Sequence, residues 1–379
     1  MRTRILISLA LLVSVLALAG CGAGGGSTVK IAILAPLSGD VKTFGESTRD
    51  GVLLAFDEWN ADGGVLGKQI EVIIEDSQCL PEPAVSAANK VIDQDGVKFI
   101  IGEVCSSASI PVSEIVGPKG VLQISPTSTG TAVTVNEDGS TKATVFRACF
   151  IDPFQGAVAA KFAIGNLGAK TAAVFLDQGN DYVRGLAEVF ISEFEAAGGK
   201  VLVTESYTGE DSDFSAILTK VKDADPDVLY LPDYYSTVNL IAGQAQEKGI
   251  TATLLGGDGW DSADLDRSVV EGGYYTNHFI ASDTRPIVQD FVSKYDAEYG
   301  AAPDALAALA YDAANILLQS MKAADSTTDA TLVAAAMEAG TFPVVSGDIS
   351  YDQFHNPVKS AVILGVQGGE IVYVDTVAP

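Results

Sequence analysis

The chain has 379 residues, of which 23 are basic and 49 acidic, and its net charge at pH 7 is −26. A surface this acidic repels nucleic acid and anionic lipid headgroups, so neither is an expected partner. The length exceeds the size at which a single hydrophobic core stops growing, which favours two lobes.

The first twenty residues have the features of an export signal. Two arginines precede an apolar run, and small residues close it at Cys21 in "LALAGC", which looks like a bacterial lipobox whose cysteine becomes lipid-modified. A membrane-spanning helix is the alternative interpretation, but the run is barely long enough to cross a bilayer. The glycine-rich residues 21–28 predict a flexible tether. We therefore expect an exported protein, lipid-anchored on the outer face of the cytoplasmic membrane or periplasmic.

Removal of residues 1–20 makes the chain still more acidic. Arg2 and Arg4 are lost and no acid is, so 21 basic and 49 acidic residues remain and the net charge becomes −28.

Strand and helix patterns alternate regularly along the first third of the chain. Buried strands are predicted at "VKIAILAP", "QIEVIIED", "VKFIIG" and "VLQIS". Between the first two, "TRDGVLLAFDEWNADGG" predicts a helix with Val52, Phe56 and Trp59 on one face and glycines at its end. This βαβαβαβ order predicts a parallel sheet with helices on both faces.

The stretch "TSTGTAVTVNEDGSTKATVFR" is interpreted as a loop, and the alternation restarts after it. Strands are predicted at "TAAVFLD", "KVLVTESY", "DVLYLPD" and "TATLLGG", with amphipathic helices between them. The predicted fold class is therefore α/β, with two doubly wound parallel-sheet lobes in tandem.

The final third has too few strands for a domain of its own. Three amphipathic helices are accompanied by one short strand pattern, "NHFIA", and by the closing hairpin "VKSAVILGVQGGEIVYVD". Helices without a sheet must cover another one, so we predict lobe 1 over 29–150 plus 278–354 and lobe 2 over 151–277 plus 355–379. Several chain crossings would then form a hinge beside a cleft that encloses a ligand.

The remaining cysteines allow at most one intramolecular disulfide, because Cys79, Cys105 and Cys149 are an odd number. Cys79 and Cys105 each follow a predicted strand, so they are expected at the same end of neighbouring parallel strands. An exported location permits the bond, which would stabilise the protein by roughly 3–4 kcal/mol. Cys149 lies among apolar residues and is predicted to be a small buried hydrophobe.

Catalytic motifs are absent from the sequence. It contains no nucleophile elbow, P-loop, H-E-x-x-H or Cys-x-x-Cys motif, and its only histidines are His278 and His355. With two histidines, the sequence offers almost no residues from which a histidine triad or a multi-histidine metal site could be built. We predict neither an enzyme nor a cofactor or metal site.

Small polar and aromatic residues follow the predicted strands, at the carboxyl ends where open α/β sheets bind ligands. These stretches are "CSSAS", "SPTSTGT", "LDQGNDY", "PDYYS" and "GGDGWD". Hydroxyls and N–H groups at helix starts suit a carboxylate, an acid such as Asp258 suits an ammonium, and tyrosines supply walls with a polar tip. Ser106 and Ser107 could equally cap the following helix, and Asp258 could be a solvated turn acid, so both interpretations stay open here.

From about Val29 to its end, the chain resembles the branched-chain amino-acid-binding proteins of the type I periplasmic binding protein superfamily. These proteins are the substrate-capture components of ABC importers. The resemblance is carried by "IAILAPLSGDVKTFGESTRDGVLLAFDEWNADGG", "AANKVIDQDGVKFIIGEVCSSAS", "QISPTSTGT", "DYVRGLAEVF" and "DFSAILTKVKDADPDVLYLPDYY".

The resemblance implies which residues hold the two charged ends of an amino acid. It assigns the α-carboxylate to Ser106, and both ammonium and carboxylate to the neighbourhood of Thr127, Ser128 and Thr129. Asp258 would complete the ammonium site, where the best-known members have glutamate.

The resemblance also implies how the rest of the ligand is enclosed. Tyr182 and Tyr234 match tyrosines that close over the ligand, and Phe44 matches an aromatic that lines the side-chain pocket. Leu306 stands where the family often places a further aromatic.

The implied function is capture of a free amino acid, foremost leucine, isoleucine or valine, and its delivery to the membrane subunits of an ABC permease. One alternative keeps the fold and binds an aromatic acid, an amide or urea. Another is a ligand sensor that signals to a membrane kinase, which the chain's own lipobox disfavours.

Overall fold

A computed structural model describes residues 28–379, so the predicted signal peptide, Cys21 and most of the predicted tether lie outside the described residues. The strands are β1 Thr28–Ala35, β2 Gln69–Asp76, β3 Phe99–Gly102, β4 Leu122–Ser125, β5 Val145–Arg147, β6 Thr171–Asp177, β7 Lys200–Tyr207, β8 Val228–Leu231, β9 Thr253–Gly256, β10 Tyr274–Asn277, β11 Thr341–Val344, β12 Gly347–Ser350, β13 Ala361–Gln367 and β14 Glu370–Val377. The helices are α1 Lys42–Ala61, α2 Pro81–Asp93, α3 Ser106–Val116, α4 Asp152–Gly165, α5 Asp181–Ala196, α6 Ser215–Ala224, α7 Tyr235–Glu247, α8 Pro286–Tyr299, α9 Ala305–Ala323 and α10 Ala330–Ala339.

The first sheet has the strand order β2-β1-β3-β4-β5, and every neighbouring pair in it is parallel. Its inner strand β1 is buried almost throughout, from Ile31 to Ala35. Such a continuous apolar run is expected of a parallel strand that is covered by helices on both faces.

The second sheet has the order β14-β13-β10-β9-β8-β6-β7. The strands β6 to β10 are parallel, and the hairpin β13–β14 joins antiparallel at the edge formed by β10. Numbered within their own sheets, both sets of five parallel strands follow the order 2-1-3-4-5. The predicted α/β class with two tandem doubly wound sheets is therefore confirmed.

The helices of the final third cover the first sheet. Helix α9 packs along α1, where Gly51 is required because a Cβ there would lie 2.2 Å from the carbonyl oxygen of Ala307. The indole N–H of Trp59 donates to the Asn315 side chain (2.9 Å) across the same contact. We call the first sheet with α1–α3 and α8–α10 lobe 1, and the second sheet with α4–α7 lobe 2; the residue boundaries given above remain a prediction.

Three segments connect the lobes: 148–151, 278–285 and 351–360. Phe150 of the first segment stacks on His278 of the second, and residues of the second and third line one cavity; we call the three segments the hinge. No helix within residues 28–379 has the length and apolar character needed to cross a membrane.

Two strand predictions were wrong. The stretch interpreted as a loop contains β5, a strand of three residues that ends in a buried arginine. The pattern "NHFIA" is not a strand, because β10 ends at Asn277, whose side-chain oxygen accepts the backbone N–H of His278 and removes it from the ladder. The hairpin β11–β12 was not predicted, because Pro343 lies within it, and proline is tolerated in such an edge pair.

The predicted disulfide and the predicted burial of Cys149 are confirmed, but the strands that precede the two bonded cysteines are not neighbours, because β1 lies between β2 and β3. A disulfide joins Cys79 to Cys105 with their Cα atoms 5.5 Å apart, and it ties the end of β2 to the start of α3. Cys149 is free and buried, and burial raises the pKa of its thiol to about 12.

Candidate functional site

The cleft between the lobes is formed at the same topological position in both sheets. In the 2-1-3-4-5 order, ligands bind where the strand order reverses, between the first and third strands. The loops after β1 and β3 in lobe 1 therefore face the loops after β6 and β8 in lobe 2, with those after β4 and β9 beside them. The cavity there is small, with an empty volume of about 300 Å³ that includes space open to solvent.

Six of the eight predicted ligand residues line this cavity together. The lining residues are Phe44, Val104, Ser106, Thr127, Tyr182, Tyr234, Asp258, Gly259 and Leu306. Ser128 and Thr129 do not line it. A larger cavity of about 1380 Å³ lies beside the hinge around Arg285 and Lys359, and it contains none of the predicted ligand residues.

Ser106 is the first residue of α3 and is buried at the bottom of the cleft. Its hydroxyl oxygen accepts a hydrogen bond from the backbone N–H of Gly130 (3.0 Å). Because a hydroxyl also carries one donor, the Ser106 proton is available for an acceptor in the cleft. A side chain at position 130 would press on Ser106, since a Cβ at Gly130 would lie 3.0 Å from the Ser106 Cβ.

Thr127 presents a hydrogen-bond acceptor to the cleft, whereas Ser106 presents a donor. Its hydroxyl donates to the carbonyl of Val104 (2.8 Å), so its oxygen remains an acceptor toward the cavity. Ser128, in contrast, is engaged inside lobe 1, where its hydroxyl lies 2.6 Å from that of Ser109. The sequence did not reveal that neighbouring residues of one loop face different sides.

Arg147 holds this loop in place and was missed by the sequence analysis. Its buried guanidinium donates to the carbonyls of Ser128 (2.6 Å) and Gly130 (2.9 Å) and to the Thr134 hydroxyl (3.1 Å). Burial lowers the pKa of Arg147. A single arginine among the apolar residues of "VFRACF" was the signal that could have identified it.

Glu103 is a second organising residue beneath the cleft. Its carboxylate accepts from the backbone N–H of Cys105 (2.5 Å) and from the Ser77 hydroxyl (2.6 Å), and its carbonyl accepts from Ser125 (2.6 Å). These contacts connect the ends of β2, β3 and β4. Burial raises the pKa of Glu103 to about 7.

Thr129 and Asp152 form a buried polar pair at the crossing from lobe 1 to lobe 2. The Thr129 hydroxyl and both Asp152 carboxyl oxygens lack a well-formed hydrogen bond within the described residues, although the two side chains are neighbours. Burial raises the pKa of Asp152 to about 8, and the nearby charge of Asp258 adds to the shift.

Asp258 is the acid of the cleft, and three donors fix it. Its Oδ1 accepts from the Gln155 amide (2.8 Å) and the Tyr182 hydroxyl (2.8 Å), and its Oδ2 lies 3.1 Å from Nε2 of His278. It begins a short 3₁₀ helix directly after β9. The solvated-turn interpretation of Asp258 is therefore wrong, since the residue is only 9% exposed.

Aromatic rings connect the lobes across the cleft. Phe44 of lobe 1 meets Tyr234 of lobe 2 edge to face (centroids 5.5 Å apart), and Tyr234 stacks on Tyr182 (5.1 Å). Phe44 also contacts Tyr235 edge to face (5.2 Å). Together with Val104 and Leu306, Phe44 gives the cavity an apolar wall.

Polar contacts between the lobes surround the cavity. The Ser107 hydroxyl accepts the backbone N–H of Asp181 at the start of α5 (2.9 Å), and the hydroxyls of Thr43 and Ser262 lie 2.9 Å apart. Ser107 therefore contacts the opposite lobe rather than only starting its own helix.

The cleft combines a hydroxyl donor, a fixed carboxylate and an apolar wall around one small cavity between two lobes. Within residues 28–379, no group of three or more histidine, cysteine or acidic side chains is arranged to hold a metal ion. Fold and site together define a two-lobed protein that encloses a small solute.

Comparison with known families agrees with this class. The family model described as periplasmic binding protein matches residues 28–370, and the chain belongs to that family. A Leu/Ile/Val-binding protein of Rhizobium johnstonii is 34% identical over 339 residues, which cover 86% of this chain and 88% of the relative. A leucine-, isoleucine-, valine-, threonine- and alanine-binding protein of Pseudomonas aeruginosa is 32% identical and covers 86% of each chain.

Solved structures show the same architecture. A leucine-binding protein from Thermotoga maritima superposes with a TM-score of 0.87 at 36% identity, covering 93% of this chain and 99% of that chain. The branched-chain amino acid transporter substrate-binding protein of Streptococcus pneumoniae, solved with isoleucine, gives a TM-score of 0.86 at 29% identity, covering 93% and 100%.

Proposed function

We propose that this protein captures one free amino acid, foremost leucine, isoleucine or valine, between its lobes and delivers it to an ABC permease. The relatives named for branched-chain amino acids support this ligand class. No covalent step is involved. The ligand favours the closed arrangement because it bridges groups on both lobes.

The observation that carries the proposal is the pairing of Ser106 and Asp258 across the cleft. Ser106 belongs to lobe 1 and has a hydroxyl proton to donate, and Asp258 belongs to lobe 2 and offers a carboxylate oxygen. A ligand with a carboxylate at one end and an ammonium at the other matches both groups. The apolar wall of Phe44, Val104 and Leu306 matches an aliphatic side chain.

Calorimetric titration tests this function directly. We expect saturable one-site binding of leucine, isoleucine or valine, with threonine and alanine binding more weakly because they bury less apolar surface. A thermal-shift screen that includes benzoate, urea and aliphatic amides provides the contrast. Stabilisation by one of those compounds and by no amino acid would overturn the proposal.

The location proposed for the protein is the outer face of the cytoplasmic membrane, held by a lipid on Cys21. The motif "LALAGC" supports this step. In a bacterial host with lipoprotein processing, the chain should partition into the membrane fraction, and Cys21→Ala should release it. Membrane association unchanged by Cys21→Ala would contradict the anchor without affecting the ligand.

A further inference from the structure

His278 connects the cleft to the hinge. It directly follows β10, where the chain crosses from lobe 2 to lobe 1, and its ring stacks on Phe150 of the neighbouring crossing segment (centroids 3.6 Å apart, planes at 26°). Its Nε2 reaches Oδ2 of Asp258 at 3.1 Å. The side chain is 1% exposed, so its position is fixed by these two contacts.

The hydrogen bond defines which ring nitrogen carries the proton. Burial lowers the pKa of His278 to about 4, which leaves the imidazole neutral at neutral pH. A neutral imidazole has one donor and one acceptor, and the Asp258 carboxyl group already accepts from Gln155 and Tyr182. Nε2 is therefore the donor to Asp258, and Nδ1 is a buried acceptor with no hydrogen-bond partner among the described residues.

The contacts of Asp258 leave little room for a further donor. A carboxylate offers about four acceptor directions. Gln155 and Tyr182 donate to Oδ1 and occupy two of these directions, and His278 donates to Oδ2 and occupies a third. One direction remains, and it is on the oxygen that His278 contacts.

We propose that His278 is a positioning residue that orients Oδ2 of Asp258 toward the ammonium of the bound amino acid. This inference rests on the proposed function, since it assigns the ammonium contact within that site. His278 touches the acid and not the ligand, so it acts on affinity through Asp258. His278 lies in one hinge segment, and its ring stacks on Phe150 of another. The proposed ammonium contact is therefore connected to two hinge segments.

The second histidine provides a matched control. His355 is also buried, stacks on a phenylalanine (Phe146, centroids 3.9 Å apart) and hydrogen-bonds to a carboxylate (Glu338, 2.8 Å). Neither Phe146 nor Glu338 lines the cleft. His355 lies in the segment 351–360, so loss of its hydrogen bonds can change stability and the affinity for every ligand, but it should not change the preference between two ligands that differ only in the ammonium.

The first test is nuclear magnetic resonance of the wild-type protein labelled with ¹⁵N-histidine, without ligand. Only two rings contribute, and His355→Phe assigns them. We expect the His278 ring to be the neutral Nε2–H tautomer at pH 7. An Nδ1–H tautomer at that pH, which leaves no proton on Nε2 to donate, would overturn the inference, whatever the ligand is.

The second test compares leucine with its α-keto acid, which lacks the ammonium. His278→Phe keeps a ring for stacking but removes the donor, and it should lower the preference for leucine by about tenfold, which corresponds to one charged hydrogen bond. His278→Gln restores a donor and should keep the preference within about threefold of wild type. His355→Phe should leave the preference unchanged.

Two results of this comparison overturn the inference. One is an equal loss of both ligands in His278→Phe, which indicates a structural role only. The other is an equal change of preference in His355→Phe. If wild-type protein binds no amino acid, the proposed function fails and this role with it, while the tautomer measurement separately reports whether His278 holds Asp258.

Discussion

The two lobes share one topology and contribute different chemistry to the cleft. In lobe 1 the first, third and fourth strands lead to Phe44, Ser106 and Thr127; in lobe 2 the equivalent strands lead to Tyr182, Tyr234 and Asp258. The strand order fixes where each loop lies. The residues at the loop ends then give lobe 1 a hydroxyl and lobe 2 a carboxyl group, and in the proposed function a ligand with both matching ends is bound fully only when the lobes meet.

Removal of the Asp258 carboxylate in lobe 2 should have the largest effect on binding. Asp258→Asn keeps the shape of the side chain but leaves a ligand ammonium without its charge partner, at a cost of about 3–5 kcal/mol, or roughly two to four orders of magnitude in Kd. Calorimetry with leucine measures it. The control is Asp233→Asn, a buried acid of the same lobe that does not line the cavity; comparable loss in both variants would contradict the role of Asp258.

Loss of the disulfide should destabilise lobe 1. Cys79 and Cys105 enclose a loop with a sequence separation of 26 residues, and its closure is worth about 3–4 kcal/mol on the chain-entropy model. The Cys79→Ser, Cys105→Ser double variant should show this loss in chemical denaturation. Wild-type stability in the double variant would show that the bond does not constrain the lobe.

The lobe 1 hydroxyl should contribute less than the lobe 2 charge. Ser106→Ala removes one donor to the ligand carboxylate and should weaken leucine binding about tenfold, the value of one charged hydrogen bond. Ser113→Ala is the matched control, because it removes a buried hydroxyl of the same helix that bonds to the Ile110 carbonyl (2.6 Å). An unchanged Kd in Ser106→Ala would remove lobe 1 from carboxylate recognition.

The last prediction concerns stability rather than binding, at the crossing between the lobes. Because burial raises the pKa of Asp152 to about 8, the folded state holds a proton that the unfolded state releases near pH 4, and the free energy of unfolding falls as the pH rises between these values. Asp152→Asn removes this dependence and should exceed wild-type stability at pH 8 by at least about 1 kcal/mol. Denaturant titrations at pH 5 and pH 8 measure the difference; a difference independent of pH would contradict the buried, protonated state.

Much of the fold could be predicted because burial leaves a periodic pattern in the sequence. The apolar run in β1 and the helical spacing of Leu186, Phe190 and Phe194 in α5 indicate their own structure. β5 could not be predicted, because a strand of three residues that ends in Arg147 is too short to show an alternating apolar pattern. Arg147 is buried only because the carbonyls of the loop after β4 satisfy its guanidinium.

The site could be predicted to the level of loops but not of hydrogen bonds. Strand ends indicate which loops meet, and this placed Ser106 and Asp258 in one cleft. The partners of Asp258 come from distant segments, with Gln155 103 residues away, and no local pattern predicts such a contact. For the same reason the sequence could not separate Thr127, which lines the cleft, from Ser128, which bonds inside lobe 1.

The proposal that lobe 1 recognises the ligand carboxylate and lobe 2 the ligand ammonium is tested most directly by titrating Ser106→Ala and Asp258→Asn with three ligands. These are leucine, its α-keto acid and leucinamide, which lacks the carboxylate. Asp258→Asn should lose the preference for leucine over the α-keto acid and keep that over leucinamide, and Ser106→Ala should do the reverse. If each variant weakened all three ligands by the same factor, the two lobes would not recognise opposite ends of the amino acid.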